Sequence, residues 1–117
     1  QHLVAGYESI QALVAAGGWP AGLFCVSDLM AYGAYRFACE SGQQIPGQCL
    51  MVGVDDSPMN DWIAPWLSSV HVPYRDYGAV ILEQLMAIWA GEAPADRLLP
   101  HRLVTRHSTG RAVGDPA

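Results

Sequence analysis

The chain has 117 residues, 51% hydrophobic and 15% charged, enough for one domain that buries roughly two-thirds of its surface and too apolar for a disordered segment. Its six cationic residues are all arginines, set against eleven acids; the net charge of −5 comes with no basic run, so the chain itself carries no footprint for a phosphate backbone. Three cysteines without C-x-x-C spacing and four histidines without ligand spacing argue against a metal site, and no metal or cofactor is expected.

The chain opens on Gln1-His2 rather than Met and enters a helical pattern at Tyr7, Ile10, Leu13 and Val14, closed by Gly17-Gly18, so we read it as the remainder of a longer protein. A short apolar strand over Gly22 to Val26 follows the punctuation of Trp19-Pro20. It stops abruptly at Ser27-Asp28, either of which can cap the next helix, whose apolar face carries Leu29, Met30, Gly33, Phe37 and Ala38. After a turn at Pro46-Gly47, a second strand runs from Cys49 to Val54, too uniformly apolar to alternate, as a parallel strand covered on both faces would be. It stops at Asp55-Asp56, 28 residues after Ser27. Two strands ending at small polar or acidic residues, with one helix between them, form a βαβ unit that offers Ser27, Asp28, Asp55 and Asp56 to one crevice at the carboxyl edge of the sheet.

A loop or short helix then holds Met59, Trp62, Ile63 and Trp66 between Pro58 and Pro65. Ser68 to Val72 reads as a third strand, stopped by Pro73. The longest helix is predicted over Tyr74 to Trp89, with Ile81, Leu82, Leu85, Ile88 and Trp89 as a buried stripe and Gly91 as its stop. A last strand is predicted near Leu99 to Thr105, and a loose tail over 111–117. Cys25 and Cys49 fall in strand patterns and Cys39 in a helix, so all three are read as buried free thiols of a reducing, cytoplasmic compartment. No apolar stretch reaches the ~18 residues of a membrane span, and no signal peptide is visible.

The words at the strand ends resemble the LacI/GalR family of bacterial transcription repressors. Val26-Ser27-Asp28-Leu29-Met30-Ala31-Tyr32-Gly33-Ala34 matches the family's strand, polar residue, Asp and Met-Ala-x-Gly-Ala. Val52-Gly53-Val54-Asp55-Asp56 matches its Val-Gly-(aromatic)-Asp-Asp, Pro65 to Val70 its Pro before a Leu-Thr-Thr-Val strand, and Arg106 to Gly110 its Arg-x-Ser-Thr-Gly ending. The resemblance spans residues 6 to 110. It implies an α/β fold, a parallel sheet flanked by helices, as the C-terminal lobe of a type I periplasmic-binding-protein-like effector domain over 1–110, with the DNA-binding headpiece and most of the N-terminal lobe absent. The implied role is sensing a small effector, sugar-like or alternatively nucleobase-like, within a cytoplasmic repressor that meets operator DNA only through that headpiece. A periplasmic sugar-binding protein of a transporter, sharing the fold, is the alternative.

The resemblance also implies residues. Ser27, Asp55 and Tyr74 would face the effector, the first two by hydrogen bonds and Tyr74 by stacking on an apolar sugar face. Helix capping is the rival role for Ser27, a turn hydrogen bond for Asp55, and core packing for Tyr74. Asp28 is read as a first-turn acid and Asp56 as structural. Val72 stands where several relatives place a polar contact, which shifts the expected grip toward the other lobe. A homodimer is expected through Tyr32 and Tyr35 on the helix and Met59, Trp62 and Ile63 on the loop, a cluster too apolar to leave in water. Catalysis is not expected: successive carboxylates on a strand diverge, and Ser27 lacks a Gly-x-Ser-x-Gly elbow.

Overall fold

A computed structural model describes residues 1–110; the tail expected over 111–117 lies outside them. Helix α1 (His2–Gly17) leads into β1 (Gly22–Phe24), α2 (Asp28–Glu40) and β2 (Leu50–Asp55). The short α3 (Asn60–Ile63), β3 (Ser68–His71), α4 (Tyr74–Trp89) and β4 (Arg102–Val104) follow, with a 3-10 turn at His107–Thr109. The strands lie side by side in chain order. β1, β2 and β3 run parallel, with Leu23 opposite Met51 and Gly53 opposite Ser69, as the βαβ reading predicts. The last strand differs: β4 lies antiparallel to β3, with Val70 opposite Leu103, so the sheet is mixed.

Met51 on β2 and Leu67 before β3 form the centre of the core, with Ile10 of α1 and Ala31 and Ala34 of α2 packed on them. A glycine on each helix lets α1 and α2 approach closely. A Cβ at Gly33 would overlap the Leu3 carbonyl oxygen, and one at Gly6 would overlap that of Met30. The ending Arg106 to Thr109 is stitched to β3: the Ser68 amide donates to Ser108 Oγ at 2.8 Å, and Ser108 Oγ donates to the Met51 carbonyl at 2.6 Å.

Two expectations are corrected. Helix α4 has the predicted bounds, yet none of its residues is buried; Ile81, Leu82, Leu85 and Ile88 are exposed and Trp89 is 74% exposed. It is tied to the segment that follows by Gln84 to the Ala95 carbonyl and by Arg97 to Glu83, and Ile81 and Leu85 share a groove with Leu98 and Leu99, so the apolar stripe is only partly covered by the described residues. Cys39 is exposed on the last turn of α2, whereas Cys25 and Cys49 are buried as read, all three as free thiols. Burial pushes the Cys25 thiol up to about 11, so it is an inert core group.

Candidate functional site

The carboxyl edge of β2 is built around one buried side chain, Asp28. Its Oδ2 accepts from the Ser57 amide and from Asn60 Nδ2, both at 2.8 Å, and its Oδ1 accepts from Ser69 Oγ at 2.6 Å. Gly53 makes room for it, since a Cβ there would overlap Asp28 Oδ1. Asn60 passes the network outward by accepting from the Tyr32 hydroxyl. Asp28 is therefore the hub joining α2, β3 and α3, more than the first-turn acid read from its position.

With the Ser57 amide fixed, the two residues before it turn sharply. Asp55 has φ 115° and Asp56 φ 51°, both in the region that side-chain-bearing residues rarely adopt. The Asp56 amide donates to Ser69 Oγ at 3.0 Å, which holds this turn. Its carboxylate meets Arg106 Nη2 at 2.9 Å and His71 Nδ1 at 3.0 Å. Burial alone would raise the Asp56 carboxyl, but the hydrogen bonds and charges of Arg106 and His71 outweigh it and hold the group below the usual carboxylate range. Asp56 is thus paired within the fold, to Arg106 and His71, while the residue also borders the cleft described next.

Asp55 faces the other way. Its Oδ1 accepts from the Tyr74 hydroxyl at 2.5 Å, and that hydrogen bond, with some burial, pushes the Tyr74 phenol up to about 12, so Tyr74 stays a donor at neutral pH. The Tyr74 ring is 57% exposed and meets Tyr77 edge-on at 5.8 Å. Asp55 and Tyr74 line a cleft of about 580 Å³, with Val72 and Pro73 as an apolar wall and His71 beside them. That is the size of a small-molecule site, and an aromatic face beside a carboxylate suits a ligand with one apolar face and several hydroxyls.

Ser27 is not among the residues lining this cleft. Its Oγ accepts from the Met30 amide at 3.2 Å and caps α2, the rival role named for it. The residues expected at a dimer interface divide. Met59, Trp62 and Ile63 are 52%, 87% and 55% exposed, so none is core. Tyr35 is half-buried and stacked on Trp66 with centroids 3.9 Å apart, and half-buried Tyr32 lines the cleft with Met59. Sequence reasoning missed Asn60 and Ser69; the one signal for Asn60 is a polar residue inside the apolar stretch from Met59 to Leu67. Among the described residues no group of three His, Cys, Asp or Glu is placed to hold a metal, and no helix is long and apolar enough to cross a membrane.

A cleft at the carboxyl edge of parallel strands, with a carboxylate and an exposed aromatic on its wall, is the arrangement of a binding-protein-type α/β fold. Residues 2–109 match the family described as the periplasmic binding protein-like domain. The chain is 30% identical to the lactose operon repressor of Rhizobium radiobacter, over 88% of this chain and 92% of that sequence. It is also 30% identical to catabolite control protein A of Priestia megaterium, over 89% of this chain but 32% of that protein. The structure superposes on the lac repressor dimer bound to operator and the anti-inducer ONPF with a TM-score of 0.83 and 28% identity, covering 91% of this chain and 37% of that one. A LacI family regulator from Enterococcus faecium with bound ribose gives 0.76 and 28%, covering 92% and 40%. The chain belongs to the LacI/GalR family of transcription regulators, with a periplasmic-binding-protein-like fold. It spans 24% of the Haemophilus influenzae ribose operon repressor and about a third of most other relatives cited.

Proposed function

We propose that this chain is the C-terminal, effector-binding and dimerising lobe of a cytoplasmic LacI-type repressor, and that its cleft takes a small sugar-like effector. The observation carrying this is the Asp55–Tyr74 pair: Tyr74 occupies one carboxylate oxygen, and the second has no bonding partner among the described residues. The role is binding rather than catalysis, since Ser27 is spent on a helix cap and Asp56 on an ion pair. In this reading a second lobe closes over the cleft, desolvating the effector, and a headpiece on that side reads operator DNA. The apolar sides of α4, unburied here, are the kind of surface such a lobe would cover. The periplasmic alternative is disfavoured by three free cysteines, which suit a reducing compartment.

Asp55→Ala in the full-length protein is expected to weaken effector binding by roughly 1.5–3 kcal/mol, the worth of a hydrogen bond to a charged group. Titration calorimetry giving equal affinities for the pair would remove Asp55 from the site.

The same reading places a second copy on the patch of Met59, Trp62 and Ile63, next to Tyr32 and Tyr35. Trp62, the most exposed of these, is the natural anchor. Ile63→Asp, by setting an unpaired charge in an apolar contact, is expected to cost the dimer roughly 2 kcal/mol, more than tenfold in dissociation constant. Light scattering across a dilution series reads this directly; an unchanged dimer in Ile63→Asp would move the interface elsewhere.

A further inference from the structure

The charge around the cleft selects among effectors. Asp28, Asp55, Asp56 and Asp76 line it, and Arg75 is the one arginine that does. These acids are not equivalent. Asp56 is paired with Arg106 and with His71, which also lines the cleft, and Asp76 and Arg75 are sequence neighbours on the exposed first turn of α4. The three donors to Asp28 are a backbone amide, a side-chain amide and a hydroxyl, all neutral, so its charge is solvated by the protein but not cancelled. Asp55 meets only the neutral Tyr74 hydroxyl. Neither Asp28 nor Asp55 has a cationic partner among the described residues. The N-termini of α2 and α4 point the other way, but each supplies only about half a unit of positive charge, and the α4 terminus already has Asp76 in its first turn. Among the described residues the carboxylates lining the cleft thus outnumber its arginines, four to one.

We propose that this cleft accepts a neutral or amine-bearing polyol and rejects phosphorylated or carboxylated sugars, the discrimination coming from Asp55 and Asp28. The inference rests on the cleft being the effector site. Its physical content is selection by an unfavourable term: a phosphate or carboxylate within a few ångströms of Asp55 meets like charge in a partly desolvated space, whereas an ammonium gains there. The neutral hydroxyls of the same sugar are hardly affected.

The test is calorimetry on the full-length protein with matched sets: glucose, glucosamine and glucose 6-phosphate; galactose, galactosamine and galacturonate; ribose and ribose 5-phosphate. Wherever the neutral parent binds, its anionic derivative is expected to bind at least tenfold more weakly at low salt, and the amine no more weakly than the parent. The gap should shrink several-fold at 0.5 M salt, because screening weakens charge repulsion and leaves steric exclusion unchanged. Asp55→Asn should narrow the gap even as it weakens binding of the parent. Equal or tighter binding of an anionic derivative, or a gap indifferent to salt, overturns the inference while leaving the effector site intact. Failure of every neutral, amine and anionic sugar to bind would instead remove the effector reading, and the inference with it.

Discussion

Asp28→Ala is expected to cost about 4 kcal/mol of folding stability, most of the margin of a typical small domain. The side chain is 1% exposed and accepts three hydrogen bonds, from the Ser57 amide, Asn60 and Ser69. Truncation strands donors from three different segments around an almost fully buried position. Bonds to a charged group are worth roughly 1.5–3 kcal/mol each, and they share one acceptor, so the losses do not simply add. The damage should spread along the network: Asn60 loses one partner and holds Tyr32 less firmly, and the Asp55-Asp56 turn loses the anchored Ser57 that follows it. Asp28→Asn separates charge from shape. Its amide oxygen can still accept from Ser57 and Asn60, while its NH₂ must face the Ser69 hydroxyl, which can turn to accept. About half the loss is expected for this variant. Urea denaturation of the three proteins checks the order, and an Asp28→Ala variant within 1 kcal/mol of the parent would show that the network is decorative.

Much of this architecture was legible in the residue pattern because it is local. An apolar run stopped by acids marks where a covered strand meets water, and both strand ends fall within two residues of the positions read from Ser27-Asp28 and Asp55-Asp56. Helix α4 runs from Tyr74 to Trp89 as predicted, because helix formers between Pro73 and Gly91 settle its bounds. Its burial was not legible. Periodicity records that a face wants cover; it does not record which body supplies it, and among the described residues only the segment through Leu98 and Leu99 borders it. The role of Asp28 was hidden for a different reason: it depends on Gly53, Ser57, Asn60 and Ser69 meeting in space, and no spacing in the chain announces that. The backbone at Asp55, with φ 115°, follows from the same convergence. In the ending Arg106 to Gly110, the resemblance identified the motif, and the structure supplies its physical use, which is to fasten β3 through Ser68 and to cancel Asp56.

Gly33→Ala is expected to destabilise the protein by about 2–3 kcal/mol, although the same change in an isolated helix would help by about 1. Gly33 is the glycine of the Met-Ala-x-Gly-Ala match, and it lies at a close contact between α2 and α1. A methyl there would overlap the Leu3 carbonyl oxygen and lie 2.9 Å from both the Leu3 carbonyl carbon and the Tyr7 nitrogen. All three are backbone atoms of α1, so no rotamer change relieves the contact. The helix itself must move, and Ile10, which α1 contributes to the core, moves with it. Gly78→Ala makes the internal control: it sits in the second turn of α4 with nothing within 4 Å, so the methyl should bring only its helix preference and leave stability equal or slightly higher. Opposite signs for one chemical change, read by thermal or urea denaturation, would locate the cost in the helix contact. The displacement also reaches the surface, since Leu3, Val4 and Tyr7 share a groove with Tyr32, beside the proposed dimer patch. Gly33→Ala should therefore loosen self-association as well as folding. A variant that melts with the parent would mean that α1 slides over α2 at no cost, contrary to the seating of Gly33 against the Leu3 carbonyl.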